Sequence, residues 1–448
     1  MQTLLHVILG CLLLLVAACA PVGDPARPNV VVFVADDLSW DDLGAYGQDF
    51  LRTPNIDALA RDGLRFDAAF LTTSSCSASR ASILTGLYPH STGAPHLHQA
   101  LPRDKPTIAS HLRGAGYFTV AAGKWHLGTP ATRGFNKVID QPCEESGATT
   151  WLDVLRRRPR GRPFFLWLAA CDPHRPFSTA ADDLPPAYRP EEIALPWGFV
   201  EGEGTRRELA AYYREVSRFD SYVGKVLEEL RTQQVLENTL VIVLADNGRP
   251  FHLGKLTLYD PGIRTPLILH WPRGIAEAGG RDALVSSVDL APGILELAGI
   301  PVPPSMQGYS FLPLLDDPDA TIRDVIVAER NWHGRDAHER AVRSARFLYK
   351  QNQHPDHGHC HNSQFGYSPA FRDLQAARRR GELEGWLLTC FEKEWPREEL
   401  YDLWENAWRD VSTEPAYRAQ LDELREILRQ WRAATGDRDF EPHTSLVQ

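Results

Sequence analysis

Four apolar runs, each closing on polar residues, constrain this chain more than any other feature: "NVVVFVADD" ends on Asp36 and Asp37, "YFTVAAGKWH" on Lys124 and His126, "PFFLWLAACDPH" on Asp172 and His174, and "TLVIVLADNG" on Asp246 and Asn247. Each is rich in β-branched or aromatic residues and nearly continuous, which predicts strands buried on both faces of a sheet. Helical patterns lie between them, including "TPNIDALARDG", "TIASHLRGAG" and "LAAYYREVSRFDSYVGKVLEELRTQ". Strands alternating with helices imply a large, mostly parallel α/β sheet flanked by helices. The carboxyl ends of parallel strands share one edge, where open α/β sheets take ligands, so the polar endings are expected to converge there.

At 448 residues and 43% apolar content the chain can bury a large core. Residues 27–325 read as the α/β unit and 326–440 as a smaller C-terminal α+β subdomain with a small antiparallel sheet, in which "AVRSARFLYKQ" reads as one strand with exposed charges before a final helix, "YRAQLDELREILRQWRAAT". The formal charge of −10 argues against nucleic acid or an anionic membrane surface as partner, so an anionic substrate would have to be drawn by local cations. The basic runs "RRRPRGR" at 156–162 and "ARRR" at 377–380 read as solvated segments.

The N-terminal "MQTLLHVILGCLLLLVAACAPVGD" has the form of an export signal over residues 1–20, too short in its apolar part to span a membrane comfortably. Val16-Ala17-Ala18-Cys19 resembles a bacterial lipobox, which predicts a periplasmic or cell-surface lipoprotein whose only membrane contact is a lipid anchor at Cys19. Beyond Cys11, Cys19 and Cys76, the cysteines Cys143, Cys171, Cys360 and Cys390 permit three disulfide pairings between which sequence does not choose.

Asp36, Asp37, Asp246 and Asn247 offer hard oxygen ligands, suited to Ca²⁺, and less so to Mg²⁺, while zinc would ask for His or Cys. Lys124, His126, His174 and Lys255 would add cations and proton donors around such an ion. In "TTSSCSASRASILTGLYPHSTG" a lone cysteine, Cys76, is set among serines just ahead of a helical pattern read from Ser79 to Leu87, where free N–H groups favour an anion. The histidine-rich "HPDHGHCH" at 354–361 is read as a solvated segment rather than a zinc site.

The segment "CSASR" resembles the sulfatase signature C-x-P/A-x-R, and "PNVVVFVADDLSWDDLGAYG", "GKWHLG", "LADNG", "LVSSVDLAPGILELAGI" and "ELYDLWENAWR" are further family-like stretches. Within that family the chain is most similar to the heparan N-sulfatases, through "LHQALP", "PFFLWLAACDPHR", "GKLTLYDPGIRTP" and "GYSPAFRDL". The resemblance implies an alkaline-phosphatase-like fold and conversion of Cys76 to Cα-formylglycine by a formylglycine-generating or sulfatase-maturating enzyme. It further implies Ca²⁺ held by Asp36, Asp37, Asp246, Asn247 and residue 76. Arg80 and Lys124 would steady the hydrate and sulfate, His126 would assist breakdown of the sulfated intermediate, Lys255 would grip the sulfate and His174 would protonate the leaving group. Asp172 and His333 would contact the sugar. The implied substrate is a sulfated glycan, with N-sulfoglucosamine of heparan or heparin fragments as first choice. An O-sulfatase, a phosphodiesterase or phosphonate monoester hydrolase, and a catalytically silent glycan-binding protein are the alternatives.

Overall fold

Every residue of the strand Asn29–Ala35 is buried, and its side chains divide between two cores. Val30, Val32 and Val34 enter one hydrophobic cluster, and Val31, Phe33 and Ala35 enter the other. A strand sandwiched in this way has no polar face, which is why its sequence is continuous rather than alternating. Burial of each such side chain contributes about 1.5–3 kcal/mol. The computed structural model describes residues 27–439 apart from 142, 144–145, 179–183, 357–365 and 393. The export signal with Cys19 therefore lies outside the described residues, as do His357, His359, Cys360 and His361 of the histidine-rich segment.

In chain order the strands of the α/β unit are β1 (Asn29–Ala35), β2 (Leu64–Phe66), β3 (Ala69–Phe70), β4 (Phe118–Gly123), β5 (Lys137–Asp140), β6 (Phe164–Ala169), β7 (Thr239–Ala245), β8 (Leu267–His270), β9 (Gly279–Arg281) and β10 (Val285–Ser286). An eight-stranded sheet runs β5-β4-β6-β1-β7-β8-β2-β9, with β3 and β10 paired separately. Among the described strands of this sheet only β8 runs against the others. Register aligns the carboxyl ends of the four central strands: Gly123 and Val34 both pair with Ala169, and Ala35 pairs with Ala245. The polar residues that follow these positions thus emerge side by side. A long helix, Glu203–Thr232, packs across the face that holds Val31 and Phe33.

A second, four-stranded antiparallel sheet is built from β11 (Val325–Arg330), β12 (Glu339–Ser344), β13 (Phe347–Asn352) and β14 (Glu398–Asp402), and the C-terminal helix Arg418–Thr435 packs on it. Here the sequence reading needs correction. "AVRSARFLYKQ" is not one strand but a hairpin that turns at Ala345 and Arg346, and two of its three charges, Arg343 and Lys350, are buried. Lys350 Nζ pairs with Glu399 at 2.6 Å and Arg343 with Asp260 at 3.1 Å. A two-residue turn carries the strand pattern through without interruption, and ion pairing permits the burial that charge alone would forbid.

Cys143 and Cys171 are joined by a disulfide, and Cys390 is also disulfide-bonded. Among the described residues no helix is long and apolar enough to cross a membrane.

Candidate active site

The carboxyl edge of β4, β6, β1 and β7 gathers the expected residues. Oxygens of Asp36, Asp37 and Asp246 and Sγ of Cys76 all lie within 4.8 Å of one another, and all four residues are buried. Cys76 is supplied by the helix Cys76–Thr85, every residue of which is buried. The helix begins three residues earlier than the sequence pattern indicated, because "CSAS" carries no apolar stripe to mark it. Its N-cap, Ser75, turns its hydroxyl away from the helix to His333 Nδ1, at 2.8 Å.

A dense set of charges holds these groups. Lys255 Nζ donates to both oxygens of Asp37, at 2.6 and 2.9 Å, and Asn247 Nδ2 donates to Asp37 Oδ1 at 2.6 Å. Arg80 Nε donates to Asp246 Oδ2 at 2.7 Å, and Lys124 pairs with Asp36. Arg80 does not line the open cavity. It is fully buried below it, bound to Asp246 and to the Lys124 carbonyl, and its Nη2 has no hydrogen-bond partner among the described residues.

Burial alone would raise the pKa of Asp36, but Lys124, His174, Arg80 and Lys255 together hold it well below the ordinary carboxylate value. Asp246 is pushed up to about 6, first by burial and then by the charge of Asp36. Burial pushes the Cys76 thiol up to about 12, so an unmodified thiol is protonated at neutral pH and a weak nucleophile. His126 is pushed down to about 2 by burial and by the neighbouring cation Lys124.

The donor set fits a hard divalent cation. Asp36 Oδ1 and Asn247 Oδ1 are buried with no hydrogen-bond partner among the described residues, facing a cluster in which carboxylates repel one another. A divalent cation would satisfy the orphaned oxygens and relieve that repulsion, with Asp36, Asp37, Asp246, Asn247 and residue 76 as its ligands. The three carboxylates are balanced by Arg80, Lys124 and Lys255, so the loaded site would be net positive and would attract an anion.

A cavity of about 520 Å³ opens over this floor, walled by Cys76, Lys124, His126, His174, Lys255 and His333. His174 gives Nδ1 to the Arg175 carbonyl, leaving Nε2 toward Asp37 Oδ2 at 3.7 Å. His333 is 3% exposed, and its Nε2 has no hydrogen-bond partner among the described residues. Asp172 is the departure. It was expected to read the sugar, yet it does not line the cavity, because both carboxylate oxygens are held by Arg218 of the long helix.

His98 was missed by the sequence reading. It lines the cavity and its Nδ1 meets His126 Nε2 at 2.6 Å. The only signal was its place in "LHQALP". The backbone that aims it, with φ of +64°, is not legible in a non-glycine residue.

Comparison with known proteins agrees with this geometry. Residues 28–300 match the sulfatase family profile. The human N-sulphoglucosamine sulphohydrolase is 32% identical, over 92% of this chain and 91% of that protein. An ulvan-active sulfatase of Formosa agariphila is 26% identical, over 94% of this chain and 78% of its own length. Among solved structures, one in complex with its substrate D-glucosamine-2-N,6-O-disulfate superposes with a TM-score of 0.72 at 20% identity, covering 92% of this chain and 99% of that one. The extent of the profile match, and an identity that high across nearly the whole of both chains, carry one conclusion: the chain belongs to the sulfatase family.

Proposed function

We propose that this sulfatase releases the N-sulfo group of non-reducing-end N-sulfoglucosamine in heparan or heparin fragments, using Cα-formylglycine formed from Cys76 and a bound Ca²⁺. The observation that carries the reading is the clustering of Asp36, Asp37, Asp246 and Cys76 within 4.8 Å beneath a wall of lysines and histidines. Similarity to the human N-sulphoglucosamine sulphohydrolase supports the choice of sugar and bond.

Calcium, when bound, would supply Lewis acidity and a template for the sulfate oxygens. The hydrated aldehyde would supply two hydroxyls on one carbon, one to attack sulfur and one to expel sulfate. The chain's own residues do the rest. Lys255 and Lys124, neutralised by carboxylates on one side, present their ammonium groups to the sulfate on the other. The unspent Nη2 of Arg80 lies beside Asp36, where it can donate to residue 76. His126, held neutral by burial and Lys124 and hydrogen-bonded to His98, lines the cavity; an anion bound there would offset Lys124 and raise the basicity of His126, so that it can accept a proton as sulfate is released. His174 faces the cavity through Nε2, placed to protonate a leaving nitrogen, which an amine needs more than a phenolate does. His333 offers its buried Nε2 to the sugar.

The reading includes export with a lipid anchor at Cys19 and a maturating enzyme for Cys76. The Cys143–Cys171 disulfide supports an oxidising compartment. A second reading, an O-sulfatase on another sulfated carbohydrate, is favoured by the similarity to ulvan-active sulfatases. A disaccharide carrying one N-sulfo and one 6-O-sulfo group separates the two. Loss of the N-sulfo group is expected, loss of the 6-O-sulfate alone selects the second reading, and loss of neither with rapid phosphodiester cleavage rejects both.

A further inference from the structure

We infer that the cleft between the α/β unit and the C-terminal antiparallel sheet is a second saccharide site, which takes an anionic sugar unit and is separate from the cavity over Cys76. The cleft has a volume of about 400 Å³, and its walls include Trp40, Trp197, Trp386, Trp404 and Trp408, five of the chain's 12 tryptophans. Among the described residues, none that lines it also lines the cavity over Cys76.

The tryptophans are not packed away as core residues would be. Trp404 is 71% exposed and Trp197 52% exposed. Indoles left in water on a concave surface mark a binding surface, since covering them is favourable. They are also braced. Trp197 stacks on Trp386 with ring centroids 4.1 Å apart and on Trp408 at 3.9 Å, a braced indole cluster that needs little ordering on binding, while the exposed Trp404 leaves ring surface open as the platform. An open indole face beside polar groups matches a sugar ring, which presents C–H bonds on its face and hydroxyls at its rim.

Charge then selects the kind of sugar. Three guanidinium groups and two carboxylates share the cleft. Arg249 is paired with Asp41, and Arg343 with Asp260. The remaining cation, Arg264, lies 3.7 Å over the Trp40 ring and donates to the Asp67 carbonyl, and among the described residues it makes no ion pair with a carboxylate. A guanidinium without a carboxylate, at the edge of an aromatic platform, is suited to the sulfate or carboxylate of an acidic sugar. Two loops join the cleft to the catalytic floor: Asp41 follows Asp37 on one, and Arg249 follows Asn247 on the other.

The chemistry of the cleft is independent of the catalytic reading, and rests on it only for the choice of heparan oligosaccharides as probe. The test uses full-length Cys76→Ala protein, with and without Trp404→Ala or Arg264→Gln, titrated with a heparan oligosaccharide by calorimetry. Each second substitution is expected to weaken binding about tenfold. In the active protein, Trp404→Ala should leave turnover of the disaccharide unchanged. A rise in KM confined to the longer substrate would place a remote unit of the same chain in the cleft. Lost binding without a change in KM would place a separate glycan there, and either result supports the inference. Unchanged affinity in both variants overturns it, as does a change in oligomeric state with no change in saccharide affinity. Variants that lose saccharide binding in a protein that releases no sulfate would defeat the proposed activity and leave the cleft assignment standing. Melting curves exclude misfolding, which is not expected of a side chain as exposed as Trp404.

Discussion

Arg218 grips both carboxylate oxygens of Asp172, Nε to Oδ2 at 2.8 Å and Nη2 to Oδ1 at 2.5 Å, with both side chains at most 3% exposed. The Asp172 carbonyl in turn accepts the Asp36 N–H at 2.9 Å, so the pair braces the catalytic floor. Arg218→Ala leaves a buried carboxylate without its main partner and should cost about 3–5 kcal/mol in urea unfolding. Activity on a small aryl sulfate should fall as well, although neither residue reaches the cavity. An Arg218→Ala protein of wild-type stability would show that the pair holds nothing in place.

Residue 76 should carry an aldehyde in active, natively produced protein, and mass spectrometry of its peptide reads this directly. Cys76→Ala should abolish turnover while leaving the melting temperature within a few degrees of wild type, since it removes one small atom from a cavity floor and no core packing. A peptide that is mostly free thiol in fully active enzyme would reject formylglycine as the nucleophile.

Stripping with a calcium chelator should remove activity, and Ca²⁺ should restore it. Asp246→Ala should be inactive and beyond rescue, because Arg80 loses its partner together with the ion. Elemental analysis offers the opposite result: stoichiometric zinc without calcium or magnesium would overturn the oxygen-ligand assignment.

Glu329 gives a pH signature in the second sheet. Burial would raise its pKa, but Arg340 and His90 bring it down from 4.5 to about 2. Its stabilisation is therefore complete above about pH 4.5 and is lost as pH falls toward 2. His90 is raised from its ordinary 6.5; burial opposes this, and the charge of Glu329 prevails. Its contribution is complete below 6.5 and is lost as pH rises through the raised value. Glu329→Gln should cost about 3 kcal/mol. The gap in melting temperature should be widest between pH 4.5 and 6.5, narrowing on either side. A gap that does not vary with pH would mean that the charge of Glu329 plays no part.

The strands and the floor of the site were legible because one physical rule governed both. A strand buried on two faces must be apolar throughout, so the first carboxylate after it marks the sheet edge, as at Asp36 and Asp246. What escaped was set by contacts distant in sequence. The role of Asp172 depends on Arg218, 46 residues away on a helix whose register with β6 no local pattern announces. The hairpin at Ala345 and Arg346 was hidden because its turn leaves the alternation intact. His98 owes its position to a left-handed backbone that nothing in "LHQ" requires.

The burial of Cys76 also sets an order of events. A side chain 2% exposed, at the head of a helix enclosed on every side, is open to small molecules through the cavity but closed to the active site of another protein. An enzyme that converts it, as proposed, would have to act before the elements that bury the helix pack around it. Under the proposed reading, the chain's competence would be decided before folding is complete, and protein that folds with an intact thiol would stay unconverted until it unfolds.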